Sequence, residues 1–202
     1  MLLKLSPRLI VAVLFLCAAH SALAQTVPAA TEGRSPLAVG AGVAGYNPDF
    51  EHGDLLGGAI WIDYSPERVP QMLHGIGLEV EARDISLNRS STQPNLEEDT
   101  VEGGVFYSWH HYRFIRPYAK LMMGYGNTDD ELVIGVRHHD SRTVTIVGGG
   151  MEFPTIRAVW VRVDYEYQFW PDFYKNDNPA GYLTPQGFTV GAMYHFGTRH
   201  SY

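Results

Sequence analysis

Cysteine is almost absent from this sequence of 202 residues, and the single one, Cys17, lies near the amino terminus. From residue 25 onward no cysteine remains, so disulfides cannot contribute to the stability of that part. Beyond the first residues the sequence also lacks an apolar run of about 18 residues, which excludes a later membrane-spanning helix. Basic residues are few as well, 15 Lys or Arg against 22 Asp or Glu, and this argues against nucleic acid as a partner.

The first 24 residues have the three parts of a secretory signal peptide. The basic residues Lys4 and Arg8 precede the apolar run 9–19, and an A-x-A cleavage site ends at Ala24. The run is too short to cross ~30 Å of hydrocarbon at ~1.5 Å per helical residue. We therefore expect export, cleavage after residue 24, and a flexible leader over 25–36. The exported part would carry 13 basic and 22 acidic residues, a formal charge of −9.

Beyond the leader, apolar residues alternate with other residues at a period of two. Such alternation is typical of β-strands whose two faces meet different environments. We predict eight strands of about ten residues, the length that crosses a bilayer at a tilt of roughly 45°. The predicted ranges are 37–46, 55–64, 75–84, 99–112, 116–126, 143–153, 158–170 and 187–196.

The predicted connections alternate in length. Those after strands two, four and six are short or moderate, whereas those after strands three, five and seven are long and polar. This alternation is typical of an up-and-down barrel with periplasmic turns at one rim and external loops at the other. The predicted external loops are 85–98, 127–142 and 171–186. The sequence ELVIGV within 127–142 indicates that strands five and six can extend as a hairpin.

The alternation alone does not decide which face lies inside. A soluble periplasmic barrel that binds an apolar ligand would turn the apolar face inward, and this alternative stays open. In strands one, two, five and eight the other face is mostly Gly, Ala, Met and Thr, which suits a narrow barrel interior better than a water-exposed surface. Charges of both signs can pair there. The predicted interior charges are Glu79, Glu81, Arg83, Glu102, Lys120, Arg162, Asp164 and Glu166.

Aromatic residues lie near the strand ends on the apolar face, where a membrane barrel has its interfacial girdles. The predicted lipid-facing girdle consists of Tyr64, Trp109, Tyr125, Tyr165, Tyr167, Phe169, Tyr194 and Phe196. The interior would also hold large side chains, namely Trp61, Tyr118, Trp160 and Trp170. Because an eight-stranded barrel is only just wide enough for its own side chains, we predict a lumen plugged by a polar network.

The segment GFTVGAMYHFG resembles the last strand of bacterial outer-membrane β-barrels, because alternate apolar residues end in an aromatic one, Phe196. With the signal peptide and the eight strands, residues 37–197 resemble the small porin-like, OmpA-like and OmpX-like barrels. Here a tail over 198–202 follows, whereas such chains usually end on the aromatic residue. The resemblance implies an all-β, eight-stranded antiparallel up-and-down transmembrane β-barrel of the bacterial cell envelope. It also implies insertion into outer-membrane lipid by the assembly machinery, and a structural, adhesive or small-permeability role; we expect a structural or surface-interaction role.

A barrel enzyme that modifies membrane lipid is the other alternative, since lipid A deacylases and palmitoyl transferases use eight-stranded barrels. Ser108, His110 and Glu102 share a predicted face of strand four, but residues two apart on a strand lie ~6.6 Å apart at their backbones. The histidines and aspartate of 138–140 lack a specific metal-binding spacing. We expect no enzyme activity, cofactor or metal, and the loops' surface partner stays open.

Overall fold

A computed structural model of the chain describes residues 36–48, 55–66, 70, 73–87, 96–112, 114–133, 136–156, 158–171 and 181–196. Nothing in that part of the chain is a helix that is both long and apolar enough to span a membrane. The predicted signal peptide, the leader up to residue 35 and the tail lie outside the described residues. So do most of the connections between the strands.

The described residues form nine β-strands. Their bounds are β1 (Leu37–Asn47), β2 (Leu55–Tyr64), β3 (Ile76–Leu87), β4 (Leu96–Ser108), β5 (Arg116–Val133), β6 (Val136–Ile156), β7 (Val159–Pro171), β8 (Tyr182–Leu183) and β9 (Gln186–His195). The eight long strands follow the alternation in the sequence. In β7, for example, Arg162, Asp164 and Glu166 are buried, whereas Tyr165 and Tyr167 between and beside them are exposed.

The strands close into a barrel. From β1 to β7 each strand pairs antiparallel with the next one, and β9 pairs antiparallel with both β7 and β1. The two-residue β8 pairs only with the end of β7, so β9 takes the eighth place in the barrel. The predicted fold, an eight-stranded antiparallel up-and-down barrel, is confirmed.

The two rims of the barrel differ. One, here called the terminal rim, holds the start of β1, the end of β9 and the connections 65–75, 109–115 and 157–158. The other, called the loop rim, holds the connections 48–54, 88–95 and 134–135, and the segment 172–185 that contains β8. At the terminal rim, hydrogen bonds from Ser65 N to Pro36 O (2.7 Å) and from Phe196 N to Leu37 O (3.0 Å) fasten the strand ends.

Several predicted boundaries are wrong at the loop rim. The predicted loop 127–142 is mostly strand, because β5 continues to Val133 and β6 begins at Val136, and the expected hairpin is thereby confirmed. The predicted loop 85–98 shrinks to 88–95, and the predicted loop 171–186 contains β8. At the terminal rim strand four ends at Ser108, short of the predicted 112. Polar residues caused the errors at the loop rim, since they can occupy paired strands that continue beyond the apolar belt.

Candidate functional site

The barrel interior is lined by charged side chains. Among the residues that the structure describes, eight buried carboxylates face three buried cations. The carboxylates are Asp63, Glu79, Glu81, Glu98, Glu102, Glu152, Asp164 and Glu166, and the cations are Arg83, Lys120 and Arg162. The ion pairs among these side chains are called the interior network below.

Lys120 on β5 lies at the centre of the interior network. Its Nζ atom pairs with Glu79 Oε1 at 2.9 Å and Glu81 Oε2 at 3.0 Å, both on β3. It also pairs with two carboxylates of β7, at 2.7 Å with Asp164 Oδ2 and closely with Glu166. The Lys120 ammonium group therefore joins β3 and β7, which lie on either side of β5 and two places away from it around the barrel.

Arg83 and Arg162 connect opposite walls of the barrel. Arg83 Nη2 on β3 bonds Glu166 Oε2 on β7 at 2.5 Å, and it also reaches Glu81 and Glu102. Arg162 Nη2 on β7 bonds Glu79 Oε2 on β3 at 2.8 Å. Because β3 and β7 are four places apart in a ring of eight strands, these bonds cross the full width of the lumen.

Aromatic side chains hold the two guanidinium groups in place. The Tyr46 hydroxyl donates a hydrogen bond to Glu166 Oε2 at 2.5 Å, and its ring lies 4.4 Å from the Arg83 guanidinium carbon. The Tyr118 hydroxyl accepts a bond from Arg162 Nε at 2.6 Å. The Trp61 ring centre lies 5.0 Å from the Arg162 guanidinium carbon. Such cation–π contacts favour an ordered network.

The structure buries all eight charges that the sequence placed in the interior. Sequence reasoning missed Asp63, Glu98 and Glu152. In strand two Asp63 alternates with the outward Ile62 and Tyr64, and in strand six Glu152 alternates with the outward Met151, so both could have been found. Glu98 lies in the predicted loop 85–98, because the predicted strand four begins at residue 99.

Two groups of buried carboxylates have oxygen atoms close enough to share a metal ion, since the atoms lie within 4.8 Å of one another. The groups are Glu79 with Glu81 and Asp164, and Glu81 with Glu102 and Glu166. Lys120 pairs with residues of both groups, and Arg83 pairs with all members of the second. The Lys120 ammonium and Arg83 guanidinium groups thus already supply the positive charge that a metal ion would bring to these carboxylates.

The predicted girdle residues lie on the outer surface. Seven are exposed, and Phe196 is partly buried. They cluster towards the two rims, with Trp109 packed on Tyr107 at 5.0 Å between ring centres and Tyr165 on Phe188 at 4.9 Å. The outer surface between them carries exposed Val, Leu and Ile side chains. Their contact with lipid stays a prediction.

A cavity of about 590 Å³, here called the vestibule, opens at the terminal rim. Its floor includes Glu152 and Asp63, and Asp63 belongs to the interior network through its bond with Arg162. Its walls include Arg116, Trp160 and His195. The Arg116 guanidinium carbon lies 4.1 Å from the Trp160 ring centre, and the Trp160 and His195 ring centres are 4.4 Å apart. A row of one guanidinium group, one indole and one imidazole therefore forms one wall.

Ser108 and His110, the residues considered for catalysis, both line the vestibule. Ser108 is buried as the last residue of β4, whereas His110 lies in the following turn and is exposed. Partial burial and the neighbouring Arg116 guanidinium lower the pKa of His110 below its usual value of 6.5. His110 therefore binds a proton less readily than a fully exposed histidine does.

Comparisons with known proteins agree with the barrel. Residues 9–196 match a family model described as outer membrane protein beta-barrel domain. No curated protein matches the chain. Among solved structures, it is similar to Neisserial surface protein A (NspA), with a TM-score of 0.61 and 14% identity, over 82% of this chain and 100% of that one.

Two further solved structures share the fold. One is Ail, the attachment invasion locus protein of Yersinia pestis, with a TM-score of 0.54 and 17% identity, over 82% of this chain and 99% of that one. The other is OprG from Pseudomonas aeruginosa, with a TM-score of 0.53 and 10% identity, over 82% of this chain and 98% of that one. The family model spans nearly the whole chain, and the chain therefore belongs to the outer membrane β-barrel family.

Proposed function

We propose that this outer-membrane barrel keeps its lumen closed and acts through its loop rim, in a structural or surface-interaction role. In barrels of this kind the short turns face the periplasm and the longer loops face outward. The loop rim would therefore face the outside of the cell and the vestibule the periplasm. Export through a cleaved signal peptide and insertion by the assembly machinery belong to the same proposal.

The observation that carries the closed lumen is the pair of bonds between opposite walls, Arg162 with Glu79 and Arg83 with Glu166. Lys120 fills the space between them with its own pairs to both walls. An eight-stranded barrel has an interior that side chains can fill without leaving a channel. An ion that entered would have to separate buried, hydrogen-bonded charges, which costs several kcal/mol per unpaired group.

Single-channel recording in planar bilayers tests the closed lumen. We expect the full-length protein, inserted into a bilayer, to show no long-lived openings of the size that wide porins give. A wide porin recorded in the same bilayers serves as the positive control for insertion and sensitivity. Stable, large openings of the natural protein would contradict the proposal.

The charge of the loop rim favours one kind of surface partner. The segments 48–54, 88–95, 127–142 and 172–185 together carry nine Asp or Glu against four Lys or Arg. Ail, which shares the fold, has been crystallised with the heparin analogue sucrose octasulfate. The acidic segments of the present chain would repel such a polyanion, and they favour a partner with a basic surface.

Adhesion of whole cells tests this surface role. We expect cells that produce the protein to bind amine-coated beads but not heparin-coated beads, and salt should weaken the binding. Replacing Asp49, Glu51 and Asp54 by Asn, Gln and Asn should reduce it. Glu67→Gln, in a connection of the terminal rim, is the control and should leave it unchanged. Preference for heparin, or no response to the triple substitution, would argue against a basic partner.

A further inference from the structure

The vestibule is lined by charged side chains of both signs, which the proposed function does not use. Its floor carries the carboxyl groups of Asp63 and Glu152, and its wall carries the guanidinium group of Arg116. We propose that the vestibule binds a small zwitterion of the amino acid or short peptide class, with its ammonium group at the floor and its carboxylate at the wall. Binding there requires no passage through the lumen, so this proposal stands apart from the closed lumen.

The floor offers an acceptor that lacks a donor. Asp63 is 4% exposed, and its Oδ2 atom accepts a bond of 3.3 Å from Arg162 Nη1. Its Oδ1 atom is buried and has no hydrogen-bond partner. Leaving a buried carboxylate oxygen without a donor is costly, and an ammonium group of a ligand would remove that cost.

The charges around the floor favour a cationic group at this depth. Glu152, only 6% exposed, lies on β6 between Arg116 of β5 and Arg162 of β7 in the strand register. Beyond the floor the remaining buried carboxylates of the described residues still outnumber the buried cations, by six to three. A ligand with negative charge alone would be repelled by this excess, whereas an ammonium group would be attracted.

The wall offers the complementary group. Arg116 is oriented by its contact with Trp160, and Trp160 in turn packs against His195. A guanidinium group held in one plane is well suited to a carboxylate, with which it forms two parallel charge-assisted hydrogen bonds. His74 and His110 at the same mouth add further donors. The wall therefore suits the carboxylate end of a zwitterion.

The size of the vestibule fits such a ligand. Sites for small molecules usually have volumes of about 300–1,000 Å³, and the vestibule has about 590 Å³. Phe106 and Trp160 add apolar surface to the lining. An amino acid or dipeptide with a small apolar side chain can thus contact both charged regions and bury its side chain against this surface.

Isothermal titration of the full-length protein in detergent micelles, with the dipeptide L-alanyl-L-alanine as probe, tests the proposal. Two blocked probes have one charge each, the N-acetylated dipeptide and the dipeptide with a C-terminal amide. We expect the unblocked dipeptide to bind, and each blocked form to bind at least about tenfold more weakly, because each loses one charge-assisted contact.

Substitutions distinguish the vestibule from other surfaces. Arg116→Gln and Glu152→Gln should each weaken dipeptide binding about tenfold or more. Glu152→Gln leaves the bond between Asp63 and Arg162 in place, so loss of folding is not the expected cause. Arg142→Gln and Asp84→Asn make the same charge changes near the loop rim and should leave binding unchanged. A shift in gel migration on heating verifies that each variant is folded.

Three results would overturn the proposal. One is the absence of dipeptide binding by the folded natural protein. Another is equal binding of the amidated dipeptide, which would show a site for cations alone. The third is equal weakening by the loop-rim controls, which would show that the overall charge of the protein, and not the vestibule, governs binding.

Discussion

Val163 and Asp164 are neighbours in β7, yet their side chains meet opposite environments. Val163 points outward beside Met151 and Val190 of the adjoining strands. Asp164 points inward, where its Oδ2 atom bonds Arg162 at 2.9 Å and pairs with Lys120 at 2.7 Å. Substitutions at these two positions are therefore expected to change the free energy of unfolding by very different amounts.

We predict that Val163→Arg lowers the free energy of unfolding by about 2–4 kcal/mol, because it places a cation on the lipid face. Asp164→Asn should lower it by only about 1 kcal/mol. In that variant Arg162 keeps its bonds with Glu79 and Asp63, and Lys120 keeps those with Glu79 and Glu81. Urea unfolding and refolding in lipid vesicles gives both values. If Val163→Arg proved the harmless change, the apolar face would not lie in lipid.

At the scale of elements, a close approach between β1 and β2 depends on a residue without a side chain. Gly40 is directly opposite Trp61 in the strand register, and a Cβ atom on Gly40 would overlap the Trp61 ring. Trp61 is 2% exposed and lies against the Arg162 guanidinium group. The indole therefore has little room to move aside. The absence of a side chain at Gly40 leaves the space that the Trp61 ring occupies.

We predict that Gly40→Ala lowers the free energy of unfolding by about 1–3 kcal/mol, the usual cost of overpacking a filled interior. Gly58→Ala on β2 is the matched control. A Cβ atom on Gly58 has its nearest neighbour, Gly42 O, at 3.7 Å, so this change should have little effect. Urea unfolding measures the stability, and near-ultraviolet circular dichroism follows the tryptophan environment. Equal stability of the two variants would contradict the packing seen here.

The strands also show which parts of the fold could be predicted from the sequence. The apolar alternation identified all eight barrel strands, because one face of each must be apolar to match its surroundings. The ends of β3 to β6 at the loop rim could not be predicted in the same way. There both faces become polar, as in Glu97, Glu98 and Asp99 of β4, and the pairing continues without a change in hydropathy that would mark its end.

At the scale of the whole molecule, closure of the barrel brings together residues that are far apart in the sequence and that no short-range sequence pattern connects. The sequence predicted an interior with charges of both signs, but not that Arg162 bonds Glu79, because the two are 83 residues apart and lie on opposite strands. The vestibule was not predicted either. Its lining comes from both ends of the barrel sequence and from the turns between, as with Pro36, His110 and His195.

The bonds across the lumen also bear on how accurately the barrel is assembled. Because side chains alternate between the faces of a strand, a slip of one residue in β3 would turn Glu79, Glu81 and Arg83 out into hydrocarbon. Lys120, Arg162 and Glu166 would then lose their ion pairs with β3 and keep only those among themselves and with Asp63 and Asp164. A slipped register is thus unfavourable for two reasons, because charges are exposed to hydrocarbon and ion pairs are lost in the interior. The network that fills the finished barrel also discriminates between correct and incorrect pairings while the strands come together.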